Sequence, residues 1–249
     1  MNPGKLARLI YPGYRFGVTD PDCALKLAEL GVGGFCFYGG SAEEGRGASR
    51  ALKAASRTPL LIASDLENGA GQRVAGATTL PTSMAIGASG SEALARRKGE
   101  ITALEARSLG VDWVFAPVLD LASRADNPIV NVRAYGAEPA LAARLAEAYI
   151  SGLNSQGVLA CLKHFPGHGD TSADSHLELP TVTKNLYALE EAELKPFRAL
   201  ARRADSVMAA HLMLPELDAA NPASLSREIL TGLLRDKLNY SGFIITDAL

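Results

Sequence analysis

The histidines of this chain are confined to one part of its sequence. All four lie between residues 164 and 211, and three of them fall between His164 and His176. Pro166 and Gly167 interrupt this segment, so we expect a loop rather than a regular helix. Because imidazole gains and loses a proton near neutral pH, a cluster of histidines on one loop favours a catalytic or binding site.

Further polar residues follow directly after apolar runs. Seven such runs are typical of short strands and cover residues 9–11, 34–38, 60–64, 113–118, 158–163, 207–211 and 243–246. Five of the seven lead into side chains suited to acid–base or binding chemistry, namely Asp65 and Glu67, Asp120, Lys163 and His164, His211, and Asp247. In a parallel α/β barrel the chemistry lies at the carboxyl ends of the strands, so these side chains are expected to converge.

The elements that must position these residues alternate between helix and strand. Amphipathic segments end at a glycine, as at Gly31, Gly110 and Gly157, and a continuously apolar run follows. This pattern predicts one α/β domain over residues 1–249, either a (β/α)8 TIM-type barrel or an open doubly wound sheet. Glycine-rich phosphate-binding motifs do not occur at the required spacing and position, which favours the barrel.

Several reaction classes lack their sequence signature. His164 and His168 have a helical spacing that Pro166 interrupts, and Cys-x-x-Cys does not occur, so zinc is disfavoured. The Gly-x-Ser-x-Gly turn of serine hydrolases is also missing. A barrel with carboxylates, a histidine loop and cationic side chains, and with no cofactor or metal indicated, suits hydrolysis of a neutral, hydroxyl-rich substrate, because charged groups bind hydroxyls strongly.

Composition and charge narrow the class of partner. The chain has 27 acidic and 25 basic residues and a net charge of −2, so it shows no basic excess for nucleic acid or an anionic membrane. No apolar stretch approaches the roughly 18 residues of a membrane-spanning helix. Its three cysteines, an odd number, indicate reduced thiols and a cytoplasmic location. We therefore expect a small carbohydrate as partner, while the oligomeric state is not indicated.

The histidine loop also carries a longer motif. Residues 163–171 read Lys-His-Phe-Pro-Gly-His-Gly-Asp-Thr, and Asp174-Ser175-His176 and Leu179-Pro180 follow. This stretch closely resembles the signature of family 3 glycoside hydrolases, in their β-N-acetylhexosaminidase branch. Similar agreement extends over residues 65–73, 80–82, 131–136, 207–211 and 242–247.

The resemblance implies a retaining mechanism and a set of site residues. Asp247 would be the nucleophile, and His176, paired with Asp174, would be the general acid and base. The side chains implied to bind the sugar are Asp65, Arg73, Arg133, Lys163 and His164, and His211 would line the same pocket. Roles for Glu67 and His168 are left undecided. The implied activity is release of terminal β-N-acetylglucosamine, with cell-wall muropeptides as one source and a role in cell-wall recycling.

One feature departs from the family pattern. This chain ends two residues after Asp247, whereas family members continue through a helix, an eighth strand and a closing helix. We therefore expect a barrel that lacks its last strand and helices in this chain, truncated at its C-terminal end. Two alternatives stay open, a non-catalytic carbohydrate-binding barrel and a metal-dependent hydrolase on the same barrel.

Overall fold

The computed structural model describes residues 3–171 and 179–249. Its seven strands form one parallel sheet in chain order. They are β1 (Gly13–Arg15), β2 (Gly34–Tyr38), β3 (Leu61–Ser64), β4 (Trp113–Val114), β5 (Leu159–Phe165), β6 (Ser206–Ala209) and β7 (Phe243–Thr246). The α/β class and the parallel sheet expected from the sequence are confirmed.

One short helix, α1 (Pro3–Ala7), precedes β1, and the other helices connect successive strands. These are α2 (Pro21–Leu30), α3 (Ala42–Ala55), α4 (Ser83–Ser89), α5 (Glu92–Ser108), α6 (Pro139–Asn154), α7 (Leu186–Glu191) and α8 (Leu194–Leu200). Two short 3-10 turns, Ala70–Gln72 and Asn131–Arg133, and a π-helix, Glu228–Lys237, complete the connections. All neighbouring strands are parallel because each pair is joined by such a crossover.

Local sequence sets the helix ends. At the start of α3, Ser41 accepts from the Glu44 N–H while the Glu44 carboxylate accepts from the Ser41 N–H, so each residue satisfies a free donor of the other. Gly31 closes α2 in the left-handed region at φ 89°. Helices α5 and α6 pack closely at Gly99 and Gly152, where an added Cβ would lie 2.2 Å from a carbonyl oxygen of the opposite helix.

The two faces of the sheet bury different clusters. The larger apolar core lies between the sheet and the helices and includes Phe35, Ile62 and Leu162. A smaller cluster on the opposite face contains the buried residues Cys36, Ala63, Trp113, Phe115, Cys161 and Met208. The alternation of side chains along each strand assigns successive residues to these two clusters.

The sheet curls so that its two edges approach each other. Tyr11, just before β1, stacks edge-on with Trp113 at 5.6 Å and with Phe243 of β7 at 6.1 Å between ring centroids. No pairing between β1 and β7 is found among the residues that the structure describes. The architecture is thus a curled seven-stranded parallel sheet, which is consistent with part of a TIM-type barrel.

The first predicted strand was wrong by several residues. Residues 9–11 were expected to be extended, but Leu9 and Ile10 donate backbone hydrogen bonds to the carbonyls of Leu6 and Ala7, which form a turn. The strand begins at Gly13 instead. In the parts of the chain that the structure describes, no helix has the length and apolar character needed to cross a membrane.

Candidate active site

Three strands deliver four of the predicted site residues. Asp65 directly follows β3, Asp247 directly follows β7, and Lys163 and His164 lie in β5. Consecutive residues of a regular strand point to opposite faces of the sheet. The register between β5 and β6 shifts between Lys163 and Phe165, and Lys163 and His164 line the same cleft. Such an irregularity re-aims a side chain, and here it brings two adjacent residues into one site.

A group of opposite charges lies in this cleft. Lys163 Nζ is 2.8 Å from Asp65 Oδ1 and 2.6 Å from Glu67 Oε1. Arg133 donates to the same Glu67 carboxylate through Nη2 at 2.8 Å and Nε at 3.0 Å. Arg73 Nη2 lies 3.4 Å from Asp65 Oδ2. Paired in this way, the charges of Lys163 and Glu67 persist although their side chains are only 2% and 5% exposed.

The pairing fixes the protonation of the two buried groups. Burial by itself would raise the pKa of Glu67, but Lys163 and Arg133 hold it well below its usual range. Burial would lower the pKa of Lys163, and the carboxylates of Asp65 and Glu67 raise it instead. Glu67 is therefore ionised at neutral pH and orients Arg133 and Lys163 rather than donating a proton.

His164 is oriented by a buried carboxylate. Its Nδ1 lies 2.6 Å from Asp120 Oδ2, and its Nε2 lies 3.4 Å from Arg133 Nη2. Because a guanidinium only donates, Nε2 accepts and Nδ1 carries the proton that is donated to Asp120. Asp120 is fully buried, which would raise its pKa, but His164 holds that pKa below its ordinary value.

Asp120 also orders the loop that follows β5. Its carboxylate accepts from the backbone N–H of His164 at 3.2 Å and of His168 at 2.6 Å. His168 Nδ1 lies 2.8 Å from Thr171 Oγ1. Gly169 packs so tightly that a Cβ there would lie 1.9 Å from the Leu121 carbonyl oxygen. The first residues of the histidine loop are thus held by the segment that follows β4.

Asp247 is held through its main chain. Its N–H donates to the Ala209 carbonyl at 2.9 Å, and its carbonyl accepts from His211 Nε2 at 3.1 Å. His211 Nδ1 in turn accepts from the Ser224 hydroxyl at 2.8 Å. The Asp247 carboxylate is 16% exposed, and its Oδ2 lies 3.9 Å from His164 Nε2. His211 therefore lies behind Asp247 and supports the backbone that presents the carboxylate.

These groups surround one open cleft of about 490 Å³. Tyr38 forms part of its wall, with the Arg15 guanidinium 5.1 Å and the Arg73 guanidinium 5.5 Å from the centroid of its ring. The cleft is lined by Arg15, Tyr38, Asp65, Glu67, Gln72, Arg73, Arg133, Lys163, His164, Asp247 and Ala248. Carboxylates, guanidiniums and an aromatic ring around one cleft can bind a polar, hydroxyl-rich molecule.

The structure brings most of the predicted site residues together. Those that line the cleft are Asp65, Arg73, Arg133, Lys163, His164 and Asp247. His211 does not line it and contacts the Asp247 main chain instead. Asp174 and His176 lie outside the residues that the structure describes.

Sequence reasoning missed the roles of several neighbours. Asp120 was expected to join the site from the end of a strand, but its contact with His164 was not predicted, and the role of Glu67 was left undecided. Tyr38 lies at the end of β2, which the sequence predicted correctly, and that position was the signal that could have identified Tyr38 as a site residue. No signal pointed to Arg15, because the strand that carries it was placed at residues 9–11 instead of Gly13–Arg15.

Proteins of known sequence and structure that are similar to this chain agree with the sequence motifs and the fold described above. A "Beta-N-acetylglucosaminidase/beta-glucosidase" of Cellulomonas fimi is 34% identical over 242 residues, covering 92% of this chain and 43% of that protein. A "Beta-hexosaminidase" of Pseudomonas aeruginosa (strain LESB58) is 40% identical over 197 residues, covering 78% of this chain and 59% of that protein. The solved structure of a glycoside hydrolase family 3 beta-N-acetylglucosaminidase from Paenibacillus sp. str. FPU-7 superposes with a TM-score of 0.92 at 38% identity, covering 100% of this chain and 49% of that one.

The chain spans only part of these relatives, between 43 and 59% of their length. Residues 5–249 match the glycosyl hydrolase family 3 N terminal domain. With nearly the whole chain inside that match, this protein belongs to glycosyl hydrolase family 3.

Proposed function

We propose that the protein is a retaining glycoside hydrolase that releases terminal β-N-acetylglucosamine through a covalent glycosyl-enzyme intermediate. We further propose that the curled sheet is the larger part of a (β/α)8 barrel. The substrate class is supported by the names of the similar proteins from Cellulomonas fimi, Pseudomonas aeruginosa and Paenibacillus, which are a β-N-acetylglucosaminidase/β-glucosidase, a β-hexosaminidase and a β-N-acetylglucosaminidase.

One observation carries the proposal. The Asp247 carboxylate stands at the carboxyl end of β7, partly exposed, in the cleft that Asp65, Arg133 and Lys163 also line. A covalent intermediate requires a carboxylate with access to the anomeric carbon of a sugar. The neighbouring charged groups can hold the sugar hydroxyls while that carboxylate attacks.

The proposed reaction has two steps. In the first, a carboxylate oxygen of Asp247 bonds to the anomeric carbon, the bond to the leaving oxygen breaks, and His176 gives that oxygen its proton. In the second, His176 takes a proton from water, the water oxygen bonds to the anomeric carbon, and Asp247 is released. Asp174 fixes the imidazole and stabilises its protonated form, as a carboxylate does for a catalytic histidine. Asp65, Arg73, Arg133, Lys163 and His164 hold the sugar.

The nucleophile is tested by trapping it. A 2-deoxy-2-fluoro glucoside with a good leaving group, in which fluorine takes the place of the acetamido group, should label Asp247, found by peptide mass spectrometry. Asp247→Ala should lose turnover of a chromogenic N-acetylglucosaminide while still binding N-acetylglucosamine. A label on another carboxylate would refute the assignment. Binding without turnover by the unaltered protein would favour a non-catalytic carbohydrate-binding role, and loss of turnover with a chelator would favour a metal-dependent hydrolase.

The proton donor is tested with two leaving groups. A dinitrophenolate departs without a proton, whereas the leaving sugar of a disaccharide needs one. His176→Ala should therefore lower kcat/KM for the disaccharide by about 10² to 10⁴ more than for the dinitrophenyl glycoside. Equal losses on the two substrates would show that the proton comes from another group.

A further inference from the structure

A buried acidic side chain lies beneath the histidine loop and outside the cleft. Glu193 stands at the start of α8, and its side chain is 1% exposed. Its Oε1 lies 2.6 Å from Lys184 Nζ, and Asp170 Oδ2 lies 3.4 Å from the same nitrogen. None of these three residues lines the cleft around Asp247.

The positions of these residues along the chain are informative. Asp170 precedes the segment that contains Asp174 and His176, and Lys184 follows it. Glu193 also packs under the beginning of the loop, since a Cβ on Gly167 would lie 2.8 Å from its Cβ and Cγ. One ion cluster thus joins the chain entering this segment to the chain leaving it.

Lys184 is the charged partner that this cluster depends on. Glu193 Oε2 is buried without a hydrogen-bond partner, so in the described part of the chain Lys184 is the cation that compensates the carboxylate. Burial would lower the pKa of Lys184, and Glu193 followed by Asp170 raises it. Removing one partner of a buried ion pair leaves the other charge uncompensated, which disturbs the local structure.

Other hydrogen bonds hold residues 168–169 and 180–182, on the two sides of the segment, independently of Lys184. Asn127 Nδ2 donates to the carbonyls of His168 and Gly169 at 2.9 and 3.1 Å. On the other side, the N–H of Val182 donates to Met213 O, and the N–H of Met213 donates to Pro180 O, both at 2.9 Å. These hydrogen bonds do not involve Lys184, so the ion cluster is an additional link between the two sides of the segment.

We propose that Lys184, through its ion pairs with Glu193 and Asp170, is a positioning residue that aligns the segment carrying Asp174 and His176 for proton transfer to the leaving group. This proposal rests on the proposed function of His176. A displacement of about 1 Å at a catalytic group can lower the rate about 10²-fold. Loss of Lys184 should accordingly weaken the proton-transfer part of the reaction and spare the attack by Asp247.

The experiment compares kcat/KM for a disaccharide of N-acetylglucosamine with kcat/KM for the dinitrophenyl glycoside of N-acetylglucosamine. Lys184→Met should lower the disaccharide value about 10- to 100-fold, which is at or below the lower end of the roughly 10²- to 10⁴-fold contribution of a general acid, and the dinitrophenyl value less than about 3-fold. Lys184→Arg, which keeps the charge, should recover most of the loss. Lys53→Met is the matched control, because Lys53 forms an ion pair of 2.7 Å with Asp112 at the opposite end of the sheet. It should leave both values unchanged.

His176→Ala is measured in parallel to separate the two proposals. If His176→Ala discriminates between the substrates and Lys184→Met lowers both equally or neither, the positioning role is wrong while the proton donor stands. If His176→Ala does not discriminate, both proposals fall together. Should Lys184→Met not fold, Glu193→Gln removes the same ion pair at constant size, and the same discrimination between substrates is required of it.

Discussion

Replacing Glu67 with glutamine removes one charge from the buried cluster while keeping the size of the side chain. The substitution leaves Lys163 with Asp65 but deprives Arg133 of a carboxylate that it contacts at 2.8 and 3.0 Å. Removing one partner of a buried ion pair costs about 3 to 5 kcal/mol. Arg133 keeps 28% of its side chain exposed, so water compensates in part and the lower figure of about 3 kcal/mol applies.

The expected effect on thermal unfolding is large. For a chain of this size about 1 kcal/mol corresponds to roughly 2 to 4 °C, so Glu67→Gln should lower Tm by about 6 to 12 °C at pH 7. Circular dichroism melting measures it. Glu191→Gln is the control, because it removes a carboxylate whose side chain is 58% exposed and paired with Lys195. That change should leave Tm nearly unmoved.

The pH dependence gives a second, independent measurement. The pKa of Glu67 is lower in the folded chain than its ordinary value of 4.5. Its contribution to stability is therefore complete above about pH 4.5 and is lost as the pH falls towards the folded pKa, by about 1.4 kcal/mol per pH unit. The glutamine variant lacks this loss, so the two unfolding free energies should approach each other by about 2 kcal/mol between pH 4.5 and pH 3.

Either of two results would refute the reasoning. One is a Tm for Glu67→Gln within about 2 °C of the unaltered protein at pH 7, which is less than 1 kcal/mol of destabilisation. The other is a difference in free energy that stays constant down to pH 3. Because Glu67 is ionised and donates no proton, the variant should also lose the same fraction of kcat/KM on the disaccharide and on the dinitrophenyl glycoside.

Packing and burial support two further predictions. Gly169→Ala should lower kcat/KM by about 10²-fold, because its Cβ would lie 1.9 Å from the Leu121 carbonyl and displace the histidine loop. Gly47→Ala is the control, because its Cβ would meet nothing within 4 Å, and it should leave kcat/KM unchanged. Equal activity of the two variants would contradict the argument. In the native chain, one thiol should react with Ellman's reagent at pH 8, namely the exposed Cys23, and three after unfolding. Burial raises the pKa of both Cys36 and Cys161 to about 12, and rapid reaction of a second native thiol would count against this.

The fold class could be predicted from the sequence because its determinants are local. Strands β2 and β7 lie where the apolar runs predicted them, since a continuously apolar run after a glycine is typical of a strand in a parallel sheet. The same signal failed for residues 9–11, where three apolar residues are too few to distinguish a strand from a turn. Strand β4 was predicted to extend to Val118 but ends at Val114, ahead of Pro117, which has no N–H to donate.

Local patterns were enough to identify the residues at the carboxyl ends of the strands, and so to place Asp65, Lys163 and Asp247 in one candidate site. Which of these residues bind each other depends on the tertiary structure. The contact of Lys163 with Glu67 and that of His164 with Asp120 join residues far apart in the sequence, so no local pattern encodes them. Nor does a local pattern predict that the register between β5 and β6 shifts between Lys163 and Phe165, where Lys163 and His164 both line the cleft. Periodicity records the face that a regular strand presents, whereas the meeting of particular atoms depends on how distant strands are aligned.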